Sequence, residues 1–581
     1  MKTILSRVKL NKKHIILLLL FMLAAAISEM MLPTLLAKMI DTGITESSRS
    51  VIFTIAIVMG VMALLSCIAN IAASTLSAKI STKFAADIRS EIFCKVQDFS
   101  AAEMDKFGIA SLVTRSTSDV TNVQTFLTIL LRMGVMAPLM AVAGLVLSSA
   151  TGGKVSSVLN TAIPVLIISS GIIILIVSRY SVKLRKKIDQ LNKLFLETLE
   201  GVRVIRAFNK QEHEINRFAD ANRDYTKTAV ISGRVSGLLM PVIQVIFGVT
   251  TAAVMTLGSY YVVNGEMDVG ALVANSQYIS MILMSVILLS AVIMMFPMSY
   301  ACANRIAEVL ETENSIRDGK KSASEKELTG TVEFRDVTFS YPGADEPVIS
   351  NISFETHPGE ITAIIGRTGC GKSSILKLIP RLYDPTVGHV LIDGIEAKKY
   401  QLTELRKLIG YVPQKNVLFS GDIASNLNFE NQNGNESDWE EAVQTACAKE
   451  FIEKKDGTYH TEIAQGGTNL SGGQRQRMAI ARAVMKKPEI YLFDDSFSAL
   501  DMKTDKELRT NLKNSMGNAT VIMVAQRVSS IIDADRILVL EEGGIVENGT
   551  HKELLSSCPL YREIAVLQLG EEACRVLKTM F

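Results

Sequence analysis

The segment from residue 366 to residue 373 has the residue types and the spacing of a phosphate-binding loop. It reads Gly-Arg-Thr-Gly-Cys-Gly-Lys-Ser and follows a short β-branched run at 361–365. In such a loop glycines let backbone N–H groups approach phosphate oxygens, the lysine neutralises their charge, and the serine hydroxyl binds magnesium. We therefore expect the loop to bind ATP with Mg²⁺ through Gly366, Arg367, Thr368, Gly369, Cys370, Gly371, Lys372, Ser373 and Ser374.

A second segment supplies the carboxylate that a magnesium-dependent site requires. The apolar run 490–493 has strand character and is followed directly by Asp494. In phosphate-loop enzymes an acidic residue at the end of a buried strand makes the second contact with magnesium. The sequence therefore predicts that Asp494 and Ser373 bind the same ion.

Between these two motifs lies Leu470-Ser471-Gly472-Gly473-Gln474, which is identical to the signature pentapeptide of the ATP-binding cassette (ABC) family. The chain resembles this family over nearly its whole length. The resemblance implies that Tyr341 stacks on adenine, that Gln414 reaches magnesium and the attacking water, and that Asp501 belongs to a loop communicating across a dimer. It also implies that the signature completes the ATP site of a second subunit through Ser471, Gly472, Gly473 and Gln474.

Two positions at one ATP site depart from the family pattern. The family has a catalytic glutamate after the metal-binding aspartate and a switch histidine before Arg527, whereas this chain has Asp495 and Gln526. Aspartate is one methylene shorter, and glutamine does not exchange a proton near pH 7. We expect a weakly hydrolytic site, although neutral drift at either position is an open alternative.

The intact signature beside altered hydrolytic residues predicts a division of labour between two different subunits. A homodimer would have two weak sites. We therefore expect a heterodimer, in which a second, related ABC half-transporter supplies the consensus catalytic glutamate and histidine.

Six apolar segments are each long enough to cross a hydrocarbon layer of roughly 30 Å. Lysine and arginine concentrate in the two long connections that follow the second and the fourth segment. The positive-inside rule places these connections, both termini and the C-terminal domain in the cytoplasm. Helical periodicity predicts that both connections continue the helices beyond the membrane. The predicted spans are 15–40, 51–77, 127–149, 159–177, 235–263 and 271–298.

The fold class expected is an α-helical six-helix transmembrane domain of the type IV ABC exporter architecture, followed by an α/β P-loop nucleotide-binding domain. The domains should cover 1–311 and 331–581, with a polar, lysine-rich linker at 312–330. The net charge of +2, from 61 basic and 59 acidic residues, gives no indication of a nucleic-acid partner. The seven cysteines form no C-x-x-C pair, so neither zinc nor a disulfide framework is indicated.

These features predict ATP-driven export across the cell (plasma) membrane by alternating access. The family resemblance favours a multidrug-type exporter of hydrophobic or amphipathic cargo, without choosing among drug, lipid and peptide. The segments 107–120 and 200–208 resemble the two intracellular loops of such exporters. The resemblance implies that a short helix in each loop seats in a nucleotide-binding domain, the second one in the domain of the partner subunit. Two alternatives stay open: a regulatory or ATP-gated membrane subunit, and an importer with an exporter-like fold.

One ionisable residue lies near the middle of the first predicted span. Glu29 is costly there unless it faces a cavity or a partner. It is a candidate for recognising cationic cargo. The alternative is a carboxylate that pairs with a residue such as Arg132 or turns toward the lipid headgroups.

Overall fold

A computed structural model describes residues 12–44, 48–152, 155–321, 329–430 and 434–570. Its contacts separate two compact units. One runs up to Gln97 and continues over Ile109–Thr312, and the other combines Asp98–Gly108 with the chain from Glu313 onward.

The first unit is helical, and its described part contains six helices long and apolar enough to cross a membrane. This confirms the predicted six-helix domain. The helices continue well past the apolar spans, as the periodicity of the two long connections indicated, and the fifth is interrupted at Leu238. The α-helices up to residue 311, of which the short α3 belongs to the second unit, are α1 Lys12–Lys38, α2 Arg49–Gln97, α3 Ala101–Phe107, α4 Ile109–Thr114, α5 Val120–Gly152, α6 Ser156–Glu200, α7 Val202–Ala207, α8 Gln211–Gly237, α9 Leu239–Val263 and α10 Val269–Glu311.

An ion pair with a buried carboxylate joins the end of α10 to a π-helical turn, Arg115–Asp119, that connects α4 to α5. Arg305 donates from Nε and Nη2 to the two carboxylate oxygens of Asp119, at 2.7 and 2.5 Å. Asp119 is buried. A two-pronged pair of this kind specifies orientation as well as attraction. It therefore fixes the packing of α10 against this turn.

The second unit is built on two main sheets. A six-stranded sheet has the order β12-β11-β3-β10-β9-β6 and is parallel except for β12, and a four-stranded antiparallel sheet has the order β2-β1-β4-β5. The strands are β1 Val332–Phe339, β2 Ile349–Thr356, β3 Ile361–Gly366, β4 Val387–Ile392, β5 Ile395–Glu396, β6 Ile409–Val412, β7 Gly421–Asp422, β8 Glu462–Ile463, β9 Ile490–Asp494, β10 Thr520–Val524, β11 Arg536–Glu541 and β12 Gly544–Gly549.

Helices cover the parallel sheet, whose central strands are buried on both faces. This burial pattern is typical of parallel sheets, and it gives the α/β fold predicted for the domain. The helices are α11 Lys372–Leu378, α12 Leu402–Lys407, α13 Ile423–Leu427, α14 Glu436–Thr445, α15 Lys449–Glu453, α16 Gly472–Met485, α17 Met502–Ser515, α18 His551–Ser557 and α19 Pro559–Leu569.

The strand register determines where the functional residues meet. Val524 at the end of β10 pairs with Asp494 of β9 on one side and Ile364 of β3 on the other. Val412 at the end of β6 pairs with Phe493. Because these four strands are parallel, the segments that follow them emerge at one edge of the sheet, where open α/β sheets bind ligands.

Residues 98–108, which carry helix α3, pack with the nucleotide-binding unit although they lie within the range predicted for the membrane domain. Ala101 and Ala102 contact the core beside the four-stranded sheet. Glu103 is buried and accepts hydrogen bonds from the backbone N–H groups of Ser100 and Ser315, both at 3.1 Å. Small side chains and this satisfied carboxylate allow the short helix to lie close to the α/β unit.

Candidate functional site

The phosphate loop connects β3 to α11 and contains two positions where a side chain does not fit. A Cβ atom on Gly366 would lie 2.3 Å from the carbonyl oxygen of Leu540. Gly371 has φ +94°, and a Cβ there would lie 2.4 Å from a side-chain carbon of Ile349. The spacing of the motif therefore has a steric basis as well as a chemical one.

Lys372 lies at the centre of this loop. Its Nζ donates to the carbonyl oxygens of Gly366 and Arg367, both at 2.8 Å. The loop thus curves around its own ammonium group. A concave loop with a central cation fits the phosphates of a nucleotide.

The predicted magnesium residues lie in contact. Ser373 Oγ donates to Asp494 Oδ1 at 2.6 Å. Burial raises the pKa of the Asp494 carboxyl, whereas hydrogen bonds from Ser373 and Tyr411 act in the opposite direction. A hydroxyl and a carboxylate are hard oxygen donors, so this pair fits Mg²⁺.

The three predicted catalytic residues converge on one carboxylate. Gln526 Nε2 donates to Asp495 Oδ2 at 2.8 Å, and Gln414 Nε2 approaches the same oxygen at a longer 3.5 Å. Burial raises the pKa of the Asp495 carboxyl above its usual value, and hydrogen bonds from Gln414 and Ser498 offset part of that rise. Neither amide accepts or gives a proton near neutral pH. Asp495 is therefore the only member of this trio that can act as a base.

Asp495 is held in an unusual backbone conformation. Its φ is +51°, and its N–H donates to the carbonyl oxygen of Val524 at 3.1 Å. Aspartate adopts this left-handed region more readily than most residues. The conformation fixes where the carboxylate lies relative to β10 and to Gln526.

Tyr341, the predicted adenine platform, is half-buried beside the phosphate loop. Its hydroxyl lies 3.0 Å from Ser374 Oγ, so the ring is tied to α11. Edge contacts with Phe339 and Tyr383, at centroid distances of 4.9 and 5.2 Å, fix the orientation of the ring. Stacking on adenine stays a prediction.

The signature motif forms the exposed start of α16. Ser471 caps this helix, since Gln474 N–H donates to Ser471 Oγ at 3.3 Å and Ser471 N–H donates to Gln474 Oε1 at 3.0 Å. Within the described residues, no hydrogen bond joins Ser471, Gly472, Gly473 or Gln474 to the phosphate loop or to Asp495. The structure therefore does not bring the signature into the chain's own site.

Asp501 likewise acts as a helix cap in this structure. Thr504 donates to its carboxylate from the backbone N–H at 3.0 Å and from Oγ1 at 2.8 Å. These bonds lower the pKa of Asp501. Communication of this loop across a dimer stays a prediction.

Sequence reasoning assigned no role to two side chains that link the site to its surroundings. Gln476 Nε2 donates to the carbonyl oxygen of Asp495, and its Oε1 accepts from Ala499 N–H, both at 3.3 Å. Arg527 donates to the carbonyl oxygens of Ser498 and Leu500, at 3.0 and 3.2 Å. Both side chains bond to distant backbone groups, for which no sequence pattern exists.

Helix α3 contacts the α/β unit through a tyrosine that sequence reasoning also missed. The Tyr383 hydroxyl donates to Asp105 Oδ2. Burial and the adjacent carboxylate raise the pKa of Tyr383 above its usual value. Because the Tyr383 ring also contacts Tyr341 edge-on, one side chain links α3 to the predicted adenine platform.

Two features of the membrane unit bear on function. Helix α7 exposes apolar side chains, with Val204 60% and Phe208, directly after it, 73% exposed. Glu29 is half-buried on the face of α1 that carries the buried Ala25 and Pro33. Across the described residues, its carboxylate has no hydrogen-bond or ion-pair partner, Arg132 included.

A six-helix membrane domain in one chain with a phosphate-loop domain defines a class of ATP-dependent membrane proteins. Residues 15–287 match the ABC transporter transmembrane region, and residues 349–498 match the ABC transporter family. An uncharacterized ABC transporter ATP-binding protein of Mycobacterium tuberculosis is 37% identical over 562 residues, covering 96% of both chains. This chain belongs to the ABC transporter family.

Two further relatives specify the type of transporter. An ATP-dependent lipid A-core flippase of Pseudomonas savastanoi is 32% identical over 495 residues, covering 85% of this chain and 82% of the flippase. The solved structure of a bacterial Atm1-family ABC exporter with ATP bound is 25% identical, with a TM-score of 0.82 over 96% of this chain and 100% of the other. The chain is an exporter-type half-transporter, a multi-pass membrane protein with a cytoplasmic nucleotide-binding domain. The predicted fold class is confirmed, and the ATPase domain implies ATP binding and hydrolysis.

Proposed function

We propose that this chain is one subunit of a heterodimeric exporter in the cell membrane, whose own ATP site hydrolyses slowly and whose signature completes the partner's site. The observation that carries the proposal is the hydrogen bonding of Asp495. Its short carboxylate accepts a bond from Gln526 at 2.8 Å, where the family has a longer acid and a histidine. An oxygen that already accepts an amide N–H is less available to an attacking water.

The residues expected to bind ATP and Mg²⁺ are of the same types as in the family pattern. Lys372 and the loop amides would hold the phosphates, Ser373 and Asp494 would hold the metal ion, and Tyr341 would position the base. Bound ATP supplies the phosphoanhydride bond, and Mg²⁺ neutralises charge on its oxygens. Binding without rapid turnover follows, because Lys372, Ser373 and Asp494 are separate from Asp495, the group that would activate the attacking water.

The partner would be a second, related half-transporter with the consensus glutamate and histidine. Ser471 and Gly472 are exposed and Gln474 is half-buried at the start of α16, where another subunit can reach them. The exposed apolar residues Val204 and Phe208 support a role for α7 as the segment that seats in the partner's nucleotide-binding domain.

The cargo proposed is hydrophobic or amphipathic: a drug, a lipid or a peptide. The apolar helices suit such molecules. The similarity to a lipid A-core flippase is compatible with a lipid cargo, at 32% identity. ATP binding would close the paired cytoplasmic domains and move the helices by alternating access.

The test compares two single substitutions in the complex purified with its partner. Ser471→Arg should nearly abolish steady-state ATP hydrolysis, because it blocks the site that contains the partner's catalytic glutamate. Asp495→Ala should cost far less. Thr550→Arg is a matched control for the loss of a helix cap, since Thr550 forms the same reciprocal capping arrangement at the start of α18.

The proposed asymmetry between the two ATP sites is wrong if Asp495→Ala lowers the rate of ATP hydrolysis as much as loss of the partner's catalytic glutamate does. It is also wrong if this chain alone forms a fast homodimeric ATPase.

A further inference from the structure

The last described helix, α19, reaches the ATP site through one side chain. Gln568 Nε2 donates to the carbonyl oxygen of Gln526 at 2.8 Å, and Gln568 Oε1 accepts from the N–H of Val528 at 2.7 Å. One amide group thus bonds to the backbone on both sides of Arg527. Both distances are ideal for N–H···O bonds.

The segment 526–528, which we call the switch loop, is held from two further directions. The Gln526 side chain donates to Asp495, and the Arg527 guanidinium donates to the carbonyl oxygens of Ser498 and Leu500. The contact with Gln568 comes from the C-terminal helix α19. The carbonyl oxygens of Arg527 and Val528 also accept from the N–H groups of Ser530 and Ile531, at 3.2 and 3.0 Å. Among the described residues, the backbone of Gln526 has no hydrogen bond besides the one from Gln568.

Helix α19 is a rigid support for Gln568. Its Tyr561 and Ala565 are fully buried in the core. Arg562 donates to the carbonyl oxygens of Leu555 and Ser556 in α18, at 2.7 and 2.6 Å. Functional side chains are positioned best by elements that packing has already fixed.

We propose that Gln568 is a positioning residue of the ATP site: it fixes the backbone of the switch loop and thereby directs the Gln526 side chain toward Asp495. The inference rests on the assignment of Asp495 and Gln526 to the ATP site, and it adds the C-terminal helix to that site. A loss of the contact frees the backbone of Gln526, so its side chain samples other directions and bound nucleotide is held less firmly.

The experiment uses the complex with its partner and measures the release of radiolabelled ATP, with magnesium, from this chain's site. Gln568→Leu removes both hydrogen bonds and should speed release by about tenfold, from two neutral hydrogen bonds at a partly exposed position. Gln568→Glu keeps the acceptor for Val528 N–H but loses the donor to Gln526, so its effect should be intermediate.

A double substitution separates positioning from a general structural effect. If Gln568 acts through Gln526, then Gln568→Leu changes nothing further once Gln526→Ala is present, because contacts in one network are not additive. Arg562→Met is the matched control, since it removes two hydrogen bonds from the same helix without touching the switch loop. It should lower thermal stability and leave ATP release unchanged.

The proposal is overturned if Gln568→Leu leaves ATP release unchanged, if its effect persists in full beside Gln526→Ala, or if Arg562→Met speeds release equally. These outcomes are independent of the asymmetry between subunits. If Asp495→Ala instead stopped hydrolysis, the proposed slow site would be wrong, while the effect of Gln568 on ATP release would stand.

Discussion

Lengthening the acid at position 495 should restore turnover at this chain's ATP site. In the complex, Ser471→Arg first silences the other site, so that the remaining hydrolysis comes from this one. Asp495→Glu then moves the carboxylate outward by about 1.5 Å, one carbon–carbon bond. Gln526→His replaces an amide that bonds to Asp495 at 2.8 Å with a group that titrates near neutral pH.

A misplacement of about 1 Å at a reacting group can cost a hundredfold in rate, so the double substitution should raise turnover by about that factor. A hundredfold corresponds to about 2.7 kcal/mol in the barrier. The left-handed backbone of residue 495, at φ +51°, disfavours an ordinary side chain by about 1 kcal/mol. This strain is present in both the ground state and the transition state, so it lowers the free energy of unfolding and leaves the gain in rate intact.

The assay is phosphate release at saturating ATP and magnesium, with ATP binding measured in parallel. Asp495→Gln with Gln526→His is the matched control, because glutamine has the length of glutamate without its negative charge. The reasoning is refuted if turnover stays unchanged while ATP binds normally and the partner's signature is intact, or if the glutamine control rises equally.

Three further predictions concern coupling and cargo. Phe208→Asp should uncouple hydrolysis from transport with little change in nucleotide binding, because a charge replaces an exposed apolar side chain that would contact the partner. Normal coupling in transport assays would show that α7 faces solvent and makes no such contact. Glu29→Gln should selectively reduce the transport of cationic substrates into vesicles. If transport of cationic and of neutral substrates is equally unchanged by the substitution, Glu29 has no role in recognition. Tyr383→Phe, which deletes the hydroxyl bonded to Asp105, should lower both thermal stability and the ratio of transport to hydrolysis. Tyr400→Phe also deletes a buried tyrosine hydrogen bond, but it should lower stability alone, and an equal fall in the ratio would contradict the role of Tyr383.

The sequence predicts best where chemistry and local structure coincide. The phosphate loop and Asp494 follow buried strands, so motif and strand together indicate their shared position. Gln414 and Gln526 were assigned through family resemblance, and they meet at Asp495 because β6, β9 and β10 are parallel neighbours. Their convergence depends on the order of strands in the sheet, which the spacing of residues along the chain does not reveal.

The contacts that sequence reasoning missed share one physical property. Gln476, Arg527 and Gln568 all bond to backbone groups, which every residue possesses and no motif marks. The family resemblance implies that a short helix of the first intracellular loop seats in a nucleotide-binding domain, but it does not give the residues that hold it there. Residues 98–108 lie between two membrane helices along the chain, and their contacts with the α/β unit join residues far apart in sequence, such as Glu103 with Ser315 and Asp105 with Tyr383.

The reciprocal bonding of Ser471 and Gln474 has a consequence for the speed of each transport cycle. In the single chain the backbone N–H groups of both residues are already satisfied, so the start of α16 is folded before any partner arrives. In the proposed pair of subunits, association through this surface would require no ordering of a loop, and ordering is a major cost in binding. The two nucleotide-binding domains would then separate and rejoin repeatedly without refolding the start of α16.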